Sequence, residues 1–192
     1  MPIPKRHQPN SHLPPKEQAA ENRRAEQYRS YSEVSEQTRI RAEKLYRDGK
    51  FFCSEAVFTT VNDYLGQPAD SKMVKMASGF AVGIGMAGCL CGALSGGVMA
   101  LGLRHGREKG GQLMPEEMFP LSAELHDRFQ RRNCSTCCRK LIKKMEFGSK
   151  EHKEQCIRFT GEVAADVIDL LENGVTQPQA PGRNEDCQRC DS

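Results

Sequence analysis

Between Met76 and Leu103 the chain runs for 28 residues without a formally charged side chain, and eight of those residues are glycine. A stretch of that length is long enough on paper to cross a bilayer. Large apolar side chains are sparse in it, however, and the glycines flanking Ile84 would disturb a spanning helix. Buried core is therefore expected, and no membrane span. Gly88, Gly92 and Gly96 fall at spacings of four. On one helix they would make a bare stripe that lets another helix or a cofactor approach the backbone, at about 1 kcal/mol of helix propensity each.

One motif in this stretch misleads. Gly83-Ile84-Gly85-Met86-Ala87-Gly88 fits the dinucleotide fingerprint GxGxxG. That fingerprint needs a strand before it, a helix after it and an acidic residue on the next strand. Ser78 to Val82 is a poor strand, and Glu108 lies in a glycine-rich turn, so nucleotide binding is not expected.

The flanking sequence is helical in pattern. A first helix should begin at Ser32 or Ser35 and turn Ile40, Ala42, Leu45 and Tyr46 inward. A second, capped by Ser54, should bury Val57, Phe58, Val61, Tyr64 and Leu65. Further helices are expected over 72–80, 92–103, 115–130, 138–147 and 152–172, with Gly174 as the final stop. No alternating strand pattern competes. The expected fold is all-α, a compact helical bundle-like domain around the glycine-rich, cysteine-containing centre, over 32–174. Residues 1–31 read as a disordered or partly helical arm, because they hold too little apolar surface to offset ordering entropy. Residues 175–192 read as a flexible tail with a CxxC unit.

The chain has nine cysteines among its 192 residues, an odd number, so they cannot all pair within one molecule. The first residues contain no apolar segment of the secretory kind, and a cytoplasmic location is expected. In a reducing compartment, thiols serve metal or redox exchange more often than structural disulfides. Cys53, Cys91 and Cys138 each stand at an expected helix start, and Cys156 lies near the start of the last helix. Unpaired N–H groups and the positive dipole end at a helix start stabilise thiolate. Four such thiolates can hold a tetrahedral zinc or an iron–sulfur cluster. Their separations of 38, 47 and 18 residues are too wide to mark them as a set by spacing alone. Buried free cysteine explains one or two of them without metal.

The order of these motifs resembles the C_GCAxxG_C_C family of redox-active proteins. The first cysteine lies in Gly49-Lys50-Phe51-Phe52-Cys53-Ser54-Glu55-Ala56-Val57. The central signature is Cys91-Gly92-Ala93-Leu94-Ser95-Gly96, continued by Gly97-Val98-Met99-Ala100-Leu101-Gly102-Leu103. Cys138-Arg139-Lys140-Leu141-Ile142 supplies the third cysteine, and Cys156 with Gly161-Glu162-Val163-Ala164-Ala165 the fourth. The resemblance covers about residues 36–173. It implies a small, mostly helical protein that handles electrons through Cys53, Cys91, Cys138 and Cys156 as cluster-binding or redox-active groups. The arrangement is also similar to the iron–sulfur part of split-Soret cytochromes, without their haem, since no Cys-x-x-Cys-His occurs.

Five further cysteines lie outside that pattern. Cys134-Ser135-Thr136-Cys137 and Cys187-Gln188-Arg189-Cys190 are CxxC units, and together they are candidates for a second metal site or for thiol–disulfide exchange. Cys137 and Cys138 are adjacent and should serve different partners. Cys89 is a candidate additional ligand, or points to the other side of a helix from Cys91.

The functional expectation is a redox or electron-transfer protein using an iron–sulfur cluster or redox-active cysteines. Residues 128–144 carry seven cations and no acidic side chain, a surface suited to an acidic redox partner. The same run supports a second reading, a zinc-stabilised nucleic-acid- or protein-binding module. Against that reading stand a net charge of only +3 and the absence of compact finger spacing. A thiol–disulfide oxidoreductase is the third reading. No catalytic residue is assigned, because no Ser–His–Asp order, HExxH or Walker motif is present.

Overall fold

The computed structural model describes residues 31–175, together with Gln18 and Asn22. The expectations for the arm and the tail, including those for Cys187 and Cys190, lie outside the described residues. The fold is all-α. Its elements are α1 (Glu33–Arg47), α2 (Cys53–Tyr64), α3 (Ser71–Ser78), α4 (Ala81–Ile84), α5 (Gly92–His105), α6 (Met118–Asn133), α7 (Cys138–Leu141) and α8 (Lys150–Asn173). Among the described residues no helix is long and apolar enough to cross a membrane.

Helix α8 is the axis. Phe159 through Ile168 are buried at every position, so this helix is enclosed on all sides rather than amphipathic in its middle. Around it pack α1, α2, α5 and α6. Its N-terminus is capped by the Ser149 hydroxyl, which accepts from the His152 N–H at 3.2 Å. Leu121, Leu125 and Phe129 of α6 bury at helical spacing, and Phe129 meets Phe159 edge to face with centroids 5.2 Å apart.

Two acidic residues are enclosed with this core. Glu162 and Asp166 on α8 are fully buried and meet Arg132 from α6, and Arg158 lies 3.1 Å from Glu162. Arg128 reaches Asp169 at 2.6 Å, and Arg131 reaches Glu124 at 2.9 Å. Burying charge is tolerable only with partners of opposite sign. The first three cations of the basic run are therefore engaged inside the molecule.

Several expectations for individual side chains are corrected. Ile40 is exposed, because the buried face of α1 is formed by the small residues Ser35, Thr38 and Ala42 instead. Tyr64 is exposed at the end of α2, with its hydroxyl 3.4 Å from Glu172. Ser54 is not a cap: α2 starts one residue earlier, at Cys53, and the Glu55 carboxylate accepts from the Phe52 N–H at 2.9 Å. The buried Ser54 hydroxyl instead donates to the Ala77 carbonyl at 2.8 Å, tying α2 to α3. The helix expected over 138–147 stops at Leu141 and gives way to turns.

The glycine stripe is also divided. Gly88 precedes α5 in a loop with φ of +83°, while Gly92 and Gly96 lie in α5 itself. The GxGxxG segment forms no strand–turn–helix unit. Val82, Ile84 and Met86 join the glycines there in the left-handed region, with φ of 54°, 51° and 72°. For a β-branched residue that conformation costs about 1–2 kcal/mol. Ile84→Gly, at a half-exposed position, is expected to raise stability by up to about 1 kcal/mol, read from the urea midpoint.

Candidate redox site

One end of the bundle encloses a cavity lined by Cys53, Cys91, Cys138 and Cys156, with Tyr46, Val82, Gly92, Ala93, Leu141, Ile142, His152 and Phe159. The four cysteines come from α2, the start of α5, α7 and α8, separated by up to 47 residues in sequence. Cys53, Cys91 and Cys138 are buried and Cys156 is half-buried. No Lys, Arg, Asp or Glu lines the cavity.

Glycine makes the convergence possible. A Cβ at Gly92 would lie 2.5 Å from the Cys53 sulfur and 2.8 Å from the Phe80 carbonyl oxygen. A Cβ at Gly96 would lie 2.8 Å from the Cα of Ser54. Helix α5 thus lays its bare face directly on the first turn of α2, which sets Cys91 beside Cys53. A Cβ at Gly83 would lie 2.8 Å from the Cβ of Cys138, so the third cysteine closes over the left-handed loop.

Backbone donors reach two of the four sulfurs. The N–H groups of Ser54, at the start of α2, and of Val82 are directed toward the Cys53 sulfur. The strained Val82 backbone therefore has a purpose that can be named: it turns an N–H onto a cavity sulfur. Cys91, the residue before α5, accepts from the Ala93 and Leu94 N–H groups. At α7 the Lys140 N–H is directed instead toward the neighbour, Cys137, while the Arg139 N–H is taken by the Gly88 carbonyl. Cys156 stands in the second turn of α8 and takes side-chain partners: the Tyr46 hydroxyl donates to its sulfur, and His152 Nε2 lies 3.5 Å away. Since His152 Nδ1 accepts from the Gly148 N–H at 3.0 Å, the neutral ring carries its proton on Nε2, toward that sulfur. Burial, with Lys153 adding to it, holds the ring below the usual histidine range and so neutral.

The helix-start argument predicts anionic sulfur, and here burial outweighs it. Desolvation pushes all four thiols up: Cys53 and Cys91 above the usual range, Cys138 to about 11 and Cys156 to about 12. Repulsion among neighbouring sulfurs adds to the rise for Cys91, Cys138 and Cys156. Without a cation the cavity is a nest of protonated thiols. The donor set itself suits a soft metal group, with four sulfurs, N–H donors on two of them and no competing charge. Among the described residues, no three Cys, His, Asp or Glu side chains are gathered tightly enough to hold a single ion as they stand.

The cysteines outside the cavity divide cleanly. Cys89 is exposed and Cys137 half-buried, neither lines the cavity, and the Cys89 side chain is a neighbour of the Cys137 sulfur. Cys134 is disulfide-bonded. Tyr46 and His152 are site residues that sequence reasoning missed. Tyr46 was legible only as an inward helix position, and His152 lies one turn before Cys156 with no motif around it.

No curated protein and no solved structure matches the chain. A family model does, over residues 51–170, and its description reads "Putative redox-active protein (C_GCAxxG_C_C)". That match spans well over half of the sequence and contains all four cavity cysteines, and the chain belongs to the C_GCAxxG_C_C family.

Proposed function

We propose that this protein is an electron carrier whose Cys53, Cys91, Cys138 and Cys156 hold an iron–sulfur cluster. The observation that carries the reading is the convergence of four sequence-distant sulfurs on one uncharged cavity. Such a cluster, when bound, supplies a reversible one-electron couple. The chain's own residues do the rest. The N–H groups of Ser54, Val82, Ala93 and Leu94 donate to sulfur, which favours the more negative, reduced state. Tyr46 and His152 do the same for Cys156. Leu141, Ile142 and Phe159 shield the cavity from water.

A cluster is favoured over a single zinc because drawing these sulfurs onto one ion requires inward movement, and a multi-atom group bridges a wider span. The nucleic-acid reading is weakened, since Arg128, Arg131 and Arg132 are paired with Asp169, Glu124 and Asp166. Arg139, Lys140, Lys143 and Lys144 are exposed beside the site. They are the surface on which an acidic redox partner would dock.

The test is anaerobic purification with visible absorption and quantification of iron, acid-labile sulfide and zinc. A brown protein with iron and sulfide in matching amounts is expected, and a colourless protein carrying zinc or no metal would overturn the reading. Cys91→Ser is expected to remove at least about nine-tenths of the iron, as for a lost buried ligand.

A further inference from the structure

The loop before α5 and the loop before α7 run side by side. The Cys91 N–H donates to the Thr136 carbonyl at 2.8 Å, and the Arg139 N–H donates to the Gly88 carbonyl at 2.9 Å. The Arg139 guanidinium donates to the Ala87 carbonyl at 2.5 Å. Each loop carries two cysteines at this crossing, and the backbone sends one of each pair in opposite directions. Cys91 and Cys138 line the cavity. Cys89 and Cys137 lie outside the cavity, where the Cys137 thiol donates to the carbonyl of Gly88, the residue before Cys89, at 3.1 Å.

Two neighbouring thiols on backbones already locked together have little left to lose on bonding covalently. Solvent reaches both, which sets them apart from the buried Cys53, Cys91 and Cys138. The exposed Arg139 beside Cys137 suits an anionic reagent.

We infer that Cys89 and Cys137 form a second redox site at the surface, a thiol–disulfide couple whose substrate is an anionic low-molecular-weight disulfide of the glutathione type. The exposed Cys89 sulfur gives its proton to water and attacks one sulfur of the substrate disulfide. A Cys89–substrate disulfide forms, the substrate S–S bond breaks, and one thiolate leaves and takes up a proton. Cys137, deprotonated in turn, attacks the Cys89 sulfur. The Cys89–Cys137 bond forms, the mixed disulfide breaks, and the second substrate thiol is released. Two protein thiols have lost two electrons, and one substrate disulfide has become two thiols. This site stands apart from the proposed cluster, because none of its steps involves a cavity cysteine.

The test treats the full-length, pre-reduced protein with oxidised glutathione, then blocks free thiols and digests with trypsin. Tandem mass spectrometry must resolve Cys89 from Cys91 within 76–104, and Cys137 from Cys134 and Cys138 within 133–139. A reducible Cys89–Cys137 link is expected in most molecules. Cys137→Ser is expected to leave glutathione on Cys89, because nothing displaces it. The inference falls if wild-type Cys89 remains a free thiol, keeps its glutathione, or links to any other cysteine. Iron measured on the same samples keeps the two readings separate: a link without iron sinks only the cluster, and iron without a link sinks only this couple.

Discussion

Gly96→Ala is expected to lower stability by about 3 kcal/mol or more and to abolish metal uptake with it, whereas Gly102→Ala on the same helix should gain up to about 1 kcal/mol. The added methyl at residue 96 would run into the backbone of Ser54, 2.8 Å from its Cα and closer still to its carbonyl oxygen. A side chain could swing aside, but this backbone cannot. Ser54 is fixed by its hydrogen bond to Ala77 and by its place in the first turn of α2. Helix α5 must retreat from α2, and Cys91 moves away from Cys53 as it does. At Gly102 no atom outside the local helix lies within 4 Å of the same methyl, so only the gain in helix propensity remains. Urea denaturation of both variants, with iron content measured alongside, checks the pair. Equal midpoints for Gly96→Ala and the parent would mean that the two helices do not touch where the structure places them.

Metal uptake should be steeply dependent on pH. All four cavity thiols are held protonated near neutrality, chiefly by burial, so a divalent probe such as Zn²⁺ must displace up to about four protons to bind as a tetrathiolate. Its affinity should rise by up to about four orders of magnitude per pH unit near neutrality. The same shifts act on the metal-free fold with the opposite sign. The folded thiols titrate above the unfolded ones, so their stabilising contribution is complete below the unfolded value of about 9. It is lost as pH climbs through about 11 for Cys138 and about 12 for Cys156. Competition against a chelator at pH 6.5 and 7.5, and thermal melts of metal-free protein from pH 7 to 10, measure the two halves. A slope of one decade or less per pH unit would show that the four thiols do not bind as a group.

Sequence periodicity located the long helices because burial enforces it. Leu121, Leu125 and Phe129 bury together on α6, and Ile157 through Leu170 fill the centre. It failed where small residues carry the contact. Ser35, Thr38 and Ala42 give little hydrophobic signal, yet they form the buried face of α1 and leave Ile40 outside. The four cavity cysteines were legible through the order of their motifs and their places near helix starts. Their titration was not, because the depth of burial is a tertiary quantity that no spacing encodes. Tyr46 and His152 were hidden for a related reason. Each reaches Cys156 only after α1 and α8 pack, or after the Gly148 N–H orients the ring. The basic run over 128–144 was plain in sequence, but its acidic partners Asp166 and Asp169 lie more than thirty residues further along.

The walls of the cavity are unequal in build. Cys53 and Cys156 belong to helices of 12 and 24 residues and Cys91 immediately precedes one of 14, whereas Cys138 rides on a single turn of four residues. Three sides are built on long helices, and the fourth is a short turn held by the Arg139 N–H bond to the Gly88 carbonyl. If the proposed cluster is bound, that short turn is the wall whose rearrangement would open the chamber with least disturbance to the acid–arginine lattice at α6 and α8.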